Sequence, residues 1–376
     1  MKEEILALRK ELHQHPELSG QESATASRIQ AFVQDHHPTR IITGLGGHGL
    51  AVIYNYQNSG PTVAIRCELD ALPIEEENTF AHRSHTKGVS HKCGHDGHMA
   101  MVSGLVYWLK EQAFSRGKVI LLFQPAEETG QGAYRVLNDG KFKELDIDYF
   151  FALHNIPGAP LNSIITMQRG FSAEVQSLAI KLVGKEAHAA EPENGINPAL
   201  AIAQITVALA ELNVTDPQDD NFRVLTPVHL TMGQKAYGIS PAAGELHYTI
   251  RTWNRERMVE LKNSITNLVA QISAAHQLTH QVDWFEYFPA STNDSACNEY
   301  VDKAAKQAGL NTYARPYPFK FGEDFGWFSR EYKSTMFGLG AGRKTPALHH
   351  ADYDFPDEIL DTGTKMFQAI ISQILK

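Results

Sequence analysis

The chain has 376 residues, 43% of them hydrophobic, and a formal net charge of −9. That length suits two or three domains, and the apolar content is ample for packed cores. The absence of a long basic run, and of an apolar run long enough to span a bilayer, argues against nucleic acid and membrane as partners.

Apolar positions Ile5, Leu6, Leu8 and Leu12 predict a helix over about 2–13. Ile29, Phe32 and Val33 predict a second over about 22–35, with His15-Pro16 breaking the chain between them. Strands are expected over 49–56 and 62–66, joined by a turn around Asn58-Ser59-Gly60. Val63-Ala64-Ile65 is short and apolar, as in a sheet covered on both faces, and it runs into Arg66-Cys67-Glu68-Leu69-Asp70. After a helix through Met101, Leu105 and Leu109, a strand over 118–123 leads into Gln124-Pro125-Ala126-Glu127-Glu128. A strand over 149–153 then ends at His154. Three strand ends thus deliver polar groups, the arrangement in which an open α/β sheet places its chemistry.

The middle of the chain reads as strand 175–183, helix 197–212, strands 223–232 and 243–251, helix 255–274 and strand 280–286. This βαββαβ order predicts a ferredoxin-like α/β sandwich. A helix near 295–308, a strand at Thr335–Leu339 and a last helix over 357–375 resume the first domain. The expected architecture is an α/β catalytic domain of residues 1–170 and 289–376, interrupted by a smaller domain of residues 171–288.

The stretch Ser90-His91-Lys92-Cys93-Gly94-His95-Asp96-Gly97-His98 gathers a thiol, three imidazoles and a carboxylate. Glu127-Glu128, His154 and His349-His350 add further ligand-capable groups. Thiolate, imidazole and carboxylate together suit Zn²⁺, Mn²⁺ or Co²⁺ and point to a metal-dependent hydrolase. Cys93 and His95 are the foremost ligand candidates, as alternate residues of an extended segment would point the same way. Asp96 is expected to accept a hydrogen bond from a ring or to bridge toward the inserted domain, and His98 to support a ligand from behind. Of Glu127 and Glu128, one carboxylate can bind metal while its neighbour takes a proton from water. The set is too rich for one tetrahedral structural site, which leaves two metals, or one metal with an open position.

These motifs resemble the M20 metallopeptidase clan, and most of all its amidohydrolase branch of hippurate hydrolases, auxin-conjugate hydrolases and N-acetyl-diaminopimelate deacetylases. The resemblance covers nearly the whole chain. It takes in His13-Gln14-His15-Pro16-Glu17-Leu18, Arg66 through Pro73, Lys92 through His98, Gln124 through Glu128 and Leu153-His154. It continues with Gly184 through Pro192, Ile250-Arg251, Gly322-Glu323-Asp324-Phe325 and Leu348-His349.

The resemblance implies a Zn-peptidase-like catalytic domain with an inserted lid domain that forms a homodimer. It implies two divalent ions held by Cys93, His95, Glu128, His154 and His349, with Cys93 bridging and Glu127 as the base. Asp70, Asp96 and His98 would stand behind the ligands. His188 of the lid would bind or polarise the scissile amide, with Arg251 also at the substrate. The chain departs from the family at Glu68, where Asp is usual, at Glu186-Ala187 before His188, and at Gly238-Ile239-Ser240-Pro241, where an Asn-Val-Ile-Pro run is usual. The activity implied is hydrolysis of N-acyl amino acids. A dipeptidase or carboxypeptidase would need the same core, and the altered lid motifs admit a metal-binding dimeric scaffold of weak activity. Cys67, Cys93 and Cys297 suggest no disulfide framework, and the charged start lacks a signal peptide's apolar core, so a cytoplasmic location is expected.

Overall fold

The computed structural model describes residues 2–376. In chain order the first elements are α1 (Lys2–Gln14), α2 (Ser23–Gln34), β1 (Arg40–Leu45), β2 (Gly49–Asn55), β3 (Asn58–Glu68) and α3 (His95–Leu109). They are followed by β4 (Arg116–Gln124), the short helices α4 (Gly132–Asn138) and α5 (Gly140–Lys143), β5 (Tyr149–Ile156) and β6 (Ile164–Met167). Next come β7 (Glu174–Val183), β8 (Ala187–His188), α6 (Ala199–Glu211), β9 (Arg223–Met232), β10 (Ile239–Ser240), β11 (Ala243–Thr252), α7 (Arg255–Ala275) and β12 (Thr279–Phe288). The chain closes with α8 (Ser295–Gln307), β13 (Thr312–Arg315), α9 (Gly326–Ser329), β14 (Lys333–Gly340) and α10 (Leu360–Leu375).

Two compact units result. One holds the chain up to Phe171, Ser291–Pro318 and Glu323–Lys376; the other holds Ser172–Ala290 and Phe319–Gly322. The segment Phe319–Gly322 therefore groups with the second unit, although its place in the sequence lies well inside the expected catalytic stretch. The cause is hydrogen bonding to its carbonyls: Ala173 N–H donates to Phe319 O at 2.9 Å, and the Arg251 side chain donates through Nε to Lys320 O at 2.8 Å.

The first unit is built on an eight-stranded sheet in the order β1-β2-β4-β3-β5-β14-β6-β13. Strands β3, β4, β5 and β14 run parallel. Both faces of these strands are covered. Val63, Ile65, Leu121, Phe123, Phe151 and Leu153 join the core shared with α1, α3 and α10. Phe150, on the alternate face, packs its ring against Phe325 and Phe328. Each such side chain contributes about 1.5–3 kcal/mol by leaving water. The apolar runs of the sequence follow from that double coverage.

The second unit has a four-stranded antiparallel sheet in the order β12-β7-β11-β9, the strand order of a ferredoxin-like sandwich. Along β11 the buried residues Leu246, Tyr248 and Ile250 alternate with half-exposed ones, and α6 and α7 cover the buried face with Ile205, Leu209, Leu261 and Ile265. A separate two-stranded hairpin pairs β8 with β10.

Strands β1, β6 and β13 were not expected from the sequence. Two of them have only four residues, too few to show a period of two, and β1 buries only Ile42 and Leu45. Asn58-Ser59-Gly60 is not a separate turn but the start of β3, with a register shift before Thr62. Among the described residues no helix is long and apolar enough to cross a membrane.

Candidate metal centre and active site

The ligand-capable residues meet at the carboxyl ends of the parallel strands. β3 ends at Glu68 and leads to Asp70, β4 leads to Glu127 and Glu128, and β5 carries His154. Cys93 and His95 do not share an extended segment: α3 begins at His95, and Gly94 turns the chain into it at φ +93°. A Cβ at Gly94 would also stand 2.8 Å from Asn155 Oδ1, so glycine is needed here on two counts.

Hydrogen bonds leave one nitrogen of each key ring as an acceptor. His95 Nδ1–H donates to Asp70 O at 2.8 Å, which makes Nε2 the lone-pair nitrogen. His154 Nδ1–H donates to Asn155 O at 2.9 Å, and its Nε2 lies 3.5 Å from Cys93 Sγ. His95 Nε2 is 3.9 Å from Glu128 Oε1, and His349 Nε2 is 3.7 Å from Glu128 Oε2. Ligands about 2.0–2.3 Å from one tetrahedral ion stand about 3.3–3.8 Å apart, so this spacing is that of atoms around a cation. Cys93, His95 and His154 form one group of converging donors; Cys93, Glu128 and His349 form another. Cys93 is common to both.

His95 Nε2 and Glu128 Oε1, 3.9 Å apart, are buried without a hydrogen-bond partner. Orphaned donor atoms of this chemistry, facing one another in the interior, fit divalent ions. The electrostatics agree. Burial, with Glu128 and Glu127 nearby, pushes the Cys93 thiol well above its ordinary value. Burial raises Glu128 to about 7, against the pull of His95. Burial, with Glu323, Glu128 and Asp324, raises Glu127 well above the carboxylate range. A cation reverses each of these shifts, because it favours the ionised form.

The supporting residues take distinct places. Asp70 Oδ2 accepts from Glu128 N–H at 3.0 Å and from Ser19 Oγ at 2.6 Å. His98 commits both nitrogens: Nδ1–H donates to Glu68 at 2.7 Å, and Nε2 accepts from Asn155 N–H at 3.2 Å. Its ring lies 4.8 Å from that of His154, which fits support rather than ligation. Asp96 accepts from His13 Nδ1 at 2.8 Å and forms an ion pair with Arg9, whose Nε lies 2.9 Å away. His349 has φ +67° and its N–H donates to Lys92 O at 2.8 Å. His91 is buried and His350 exposed, and neither joins a ligand group.

His188 and Arg251 belong to the second unit. His188 is exposed on β8, paired with Ile239 of β10. Its Nδ1 accepts from Ala190 N–H at 3.1 Å, which leaves the ring proton of the neutral imidazole on Nε2. Arg251 is half-buried, and its Nη1 donates to Thr249 Oγ1 at 3.0 Å. Among the described residues, every ligand group is drawn from the first unit.

Residues 64–373 match the model of Peptidase family M20/M25/M40. The chain belongs to this family. As a member of M20/M25/M40 it is a metal-dependent hydrolase of amide bonds. It is 35% identical over 346 residues to an N-acetyl-L-cysteine deacetylase of Bacillus subtilis, covering 90% of this chain and 81% of that one. It is 28% identical over 377 residues to a second Bacillus subtilis protein, an N-acetylcysteine deacetylase, covering 99% and 97% of the two chains. Among solved structures it is similar to the Bacillus subtilis YXEP protein, a dinuclear metal-binding peptidase of the M20 family. That match has a TM-score of 0.85 and 26% identity, over 100% of this chain and 98% of the other. A putative aminohydrolase from methicillin-resistant Staphylococcus aureus matches with a TM-score of 0.90 and 26% identity, over 100% and 97% of the two chains.

Sequence reasoning assigned no role to Arg66, Glu323 and Asp324. Arg66 Nη2 donates to Glu323 and Asp324, each at 2.9 Å, and Asp324 N–H approaches Glu127 Oε1 at 3.4 Å. A charged residue inside a buried strand was the available signal for Arg66. Nothing local ties it to partners 257 and 258 positions away.

Proposed function

We propose that this M20 hydrolase cleaves the amide bond of N-acyl amino acids with small acyl groups, acetyl among them, at a dinuclear site. The observation that carries the reading is Cys93 Sγ standing in two ligand groups at once, with the Glu127 carboxylate beside them. The ions would be Zn²⁺, Mn²⁺ or Co²⁺, held by Cys93, His95 and His154 on one side and by Cys93, Glu128 and His349 on the other. When bound, such ions polarise the acyl carbonyl and make water more acidic. Glu127 takes the proton of the attacking water and passes it to the departing amine, so that the products are a carboxylate and a free amino acid. His188, with its proton on Nε2, donates to the oxyanion. Arg251 binds the substrate carboxylate, and Asp70, Asp96 and His98 hold the ligand-bearing segments. The two deacetylase relatives support the acetyl substrate, and Gly238-Ile239-Ser240 keeps the β8–β10 pairing that presents His188 even without the usual Asn. The test is a panel of N-acetyl, N-benzoyl and dipeptide substrates, with metal removed by chelation and each ion restored. Turnover of N-acetyl amino acids that vanishes on chelation and returns with one of the three ions is expected. Faster cleavage of dipeptides than of every N-acyl amino acid would replace this reading with a dipeptidase.

The chain is proposed to work as a homodimer in a reducing cytoplasm, where Cys67, Cys93 and Cys297 stay free thiols. The support for a dimer lies in β9, an edge strand paired with β11 on one side and bridged on the other only at its start, where Val214 meets Arg223. Val228, Leu230 and Met232 are exposed there at 59%, 44% and 39%, and Leu200 and Val207 of α6 at 68% and 61%. A long apolar edge of this kind is left open only where something covers it, and a second copy does so by two-fold pairing. Val228→Lys with Leu230→Lys is expected to yield monomers by sedimentation velocity at concentrations where the unaltered chain is dimeric. A chain that is monomeric without these changes removes the proposal.

A further inference from the structure

The turn that carries Glu127 and Glu128 passes through a backbone conformation that side chains disfavour. Ala126, 2% exposed, has φ +52°. At positive φ a Cβ crowds its own backbone, so alanine stays there only when its surroundings hold it. Two contacts hold its carbonyl: Gly132 N–H donates to Ala126 O at 3.0 Å, and Thr129 Oγ1 does so at 3.3 Å. Gly132 can approach so closely because it lacks a Cβ, which would lie 1.7 Å from Pro125 O.

The amide side is held by a residue from elsewhere in the chain. Ala126 N–H donates to Glu22 Oε1 at 2.8 Å, across 104 positions of sequence. The same oxygen accepts from Gly20 N–H at 2.8 Å. Glu22 is fully buried, and its Oε2 has no hydrogen-bond partner. Burying a carboxylate is costly, so it needs a compensating use. Capping α2 is not that use, since Glu22 precedes the helix but makes no side-chain cap bond to it. Its longest-range bond goes to the residue before Glu127.

We propose that Glu22 is a positioning residue for Glu127: its carboxylate holds the Ala126 N–H and so fixes the left-handed turn that sets the Glu127 carboxylate among His95, Glu128 and the Asp324 backbone. The inference rests on the reading of Glu127 as the base. A base must stay within hydrogen-bond reach of its proton. A misplacement of about 1 Å costs about a hundredfold in rate. Asp70, which accepts from Glu128 N–H, pins the other end of the same turn.

The test compares Glu22→Gln and Glu22→Ala, each with Ala or Gly at position 126, in the metal-loaded enzyme with an N-acetyl amino acid. Glu22→Gln keeps an acceptor oxygen, and kcat is expected within about threefold of the unaltered chain. Glu22→Ala is expected to lower kcat by about 10–100-fold with KM and metal content unchanged. Glycine takes positive φ freely, so in the Ala126→Gly background that loss should shrink to about threefold. In metal-free protein, amide exchange of the peptide spanning 121–131 should quicken in Glu22→Ala and not in Glu22→Gln. If Glu22→Ala does not fold, Glu22→Asp, too short to reach both N–H groups, carries the same expectations. A kcat within threefold for the acceptor-free variant, an equal loss in both position-126 backgrounds, or loss of metal would each overturn the proposal. An active Glu127→Gln enzyme would sink the reading of Glu127 instead, and would leave the exchange result at Ala126 standing.

Discussion

Glu127→Gln is expected to lower kcat by about 10²–10⁴-fold while the protein keeps its full metal content. Glutamine preserves the shape of the side chain and the acceptor facing Asp324 N–H, but it cannot take a proton. Glu127 is 5% exposed, and its Oε2 lies 3.9 Å from His95 Nε2, within the ligand cluster yet in neither of the two groups that share Cys93. Glu128→Gln serves as the contrast. Glu128 faces both His95 and His349, so its loss should weaken metal binding as well as turnover. Steady-state kinetics with elemental analysis of both variants separates the roles. Substantial turnover by Glu127→Gln at saturating metal would remove it as the base. Equal metal loss in both variants would show that the division between the two carboxylates is wrong.

What the sequence disclosed was governed by range. Val63-Ala64-Ile65 and the run into Phe123 are legible as covered strands because double burial selects continuous apolar residues. The βαββαβ order is legible in the second unit because α7 and β11 each repeat their own period over ten or more residues. The candidate ligands share a short loop, Cys93 to His95, or sit at strand ends, so local spacing also marked them.

Contacts between distant segments left no such trace. Asp96 could be read as a partner for some ring, but its pairing with Arg9 and His13 depends on α1 lying beside α3. Glu22 reaches Ala126 only because the start of α2 meets the end of β4. The conformation of Ala126 gave no sign either, since alanine is not a residue that marks positive φ. At Gly94 the sequence showed a small residue between two ligands but not its purpose. The structure shows that its φ starts α3 at His95, so a helix start, and not strand alternation, brings the thiol and the imidazole together.

Arg66→Met is expected to destabilise the first unit by about 3–5 kcal/mol, the usual effect of removing one partner from a buried ionic cluster. Arg66 is fully buried. Its Nε donates to Gln124 Oε1 at 2.9 Å, Nη1 contacts Glu68, and Nη2 reaches Glu323 and Asp324. Methionine fills much of the volume but removes the guanidinium from three buried carboxylates, of which Glu68 keeps His98, so the loss is electrostatic rather than a cavity effect. Burial would lift Glu68, but Arg66 and His98 outweigh it and hold it well below its ordinary range. Burial already raises Asp324 to about 8 against the pull of Arg66, and the same guanidinium opposes the rise that burial and the neighbouring carboxylates impose on Glu127. Without Arg66 each carboxylate takes up protons at higher pH. A base works only when deprotonated, so the acid limb of kcat/KM should move to higher pH in whatever fraction of the variant folds. Arg66→Lys keeps the charge but not the fork that serves several acceptors at once, and should recover only part of both effects. Thermal unfolding and pH–rate profiles of the two variants decide the matter. An unchanged melting temperature together with an unmoved acid limb would show that the carboxylates beside Glu127 do not depend on Arg66.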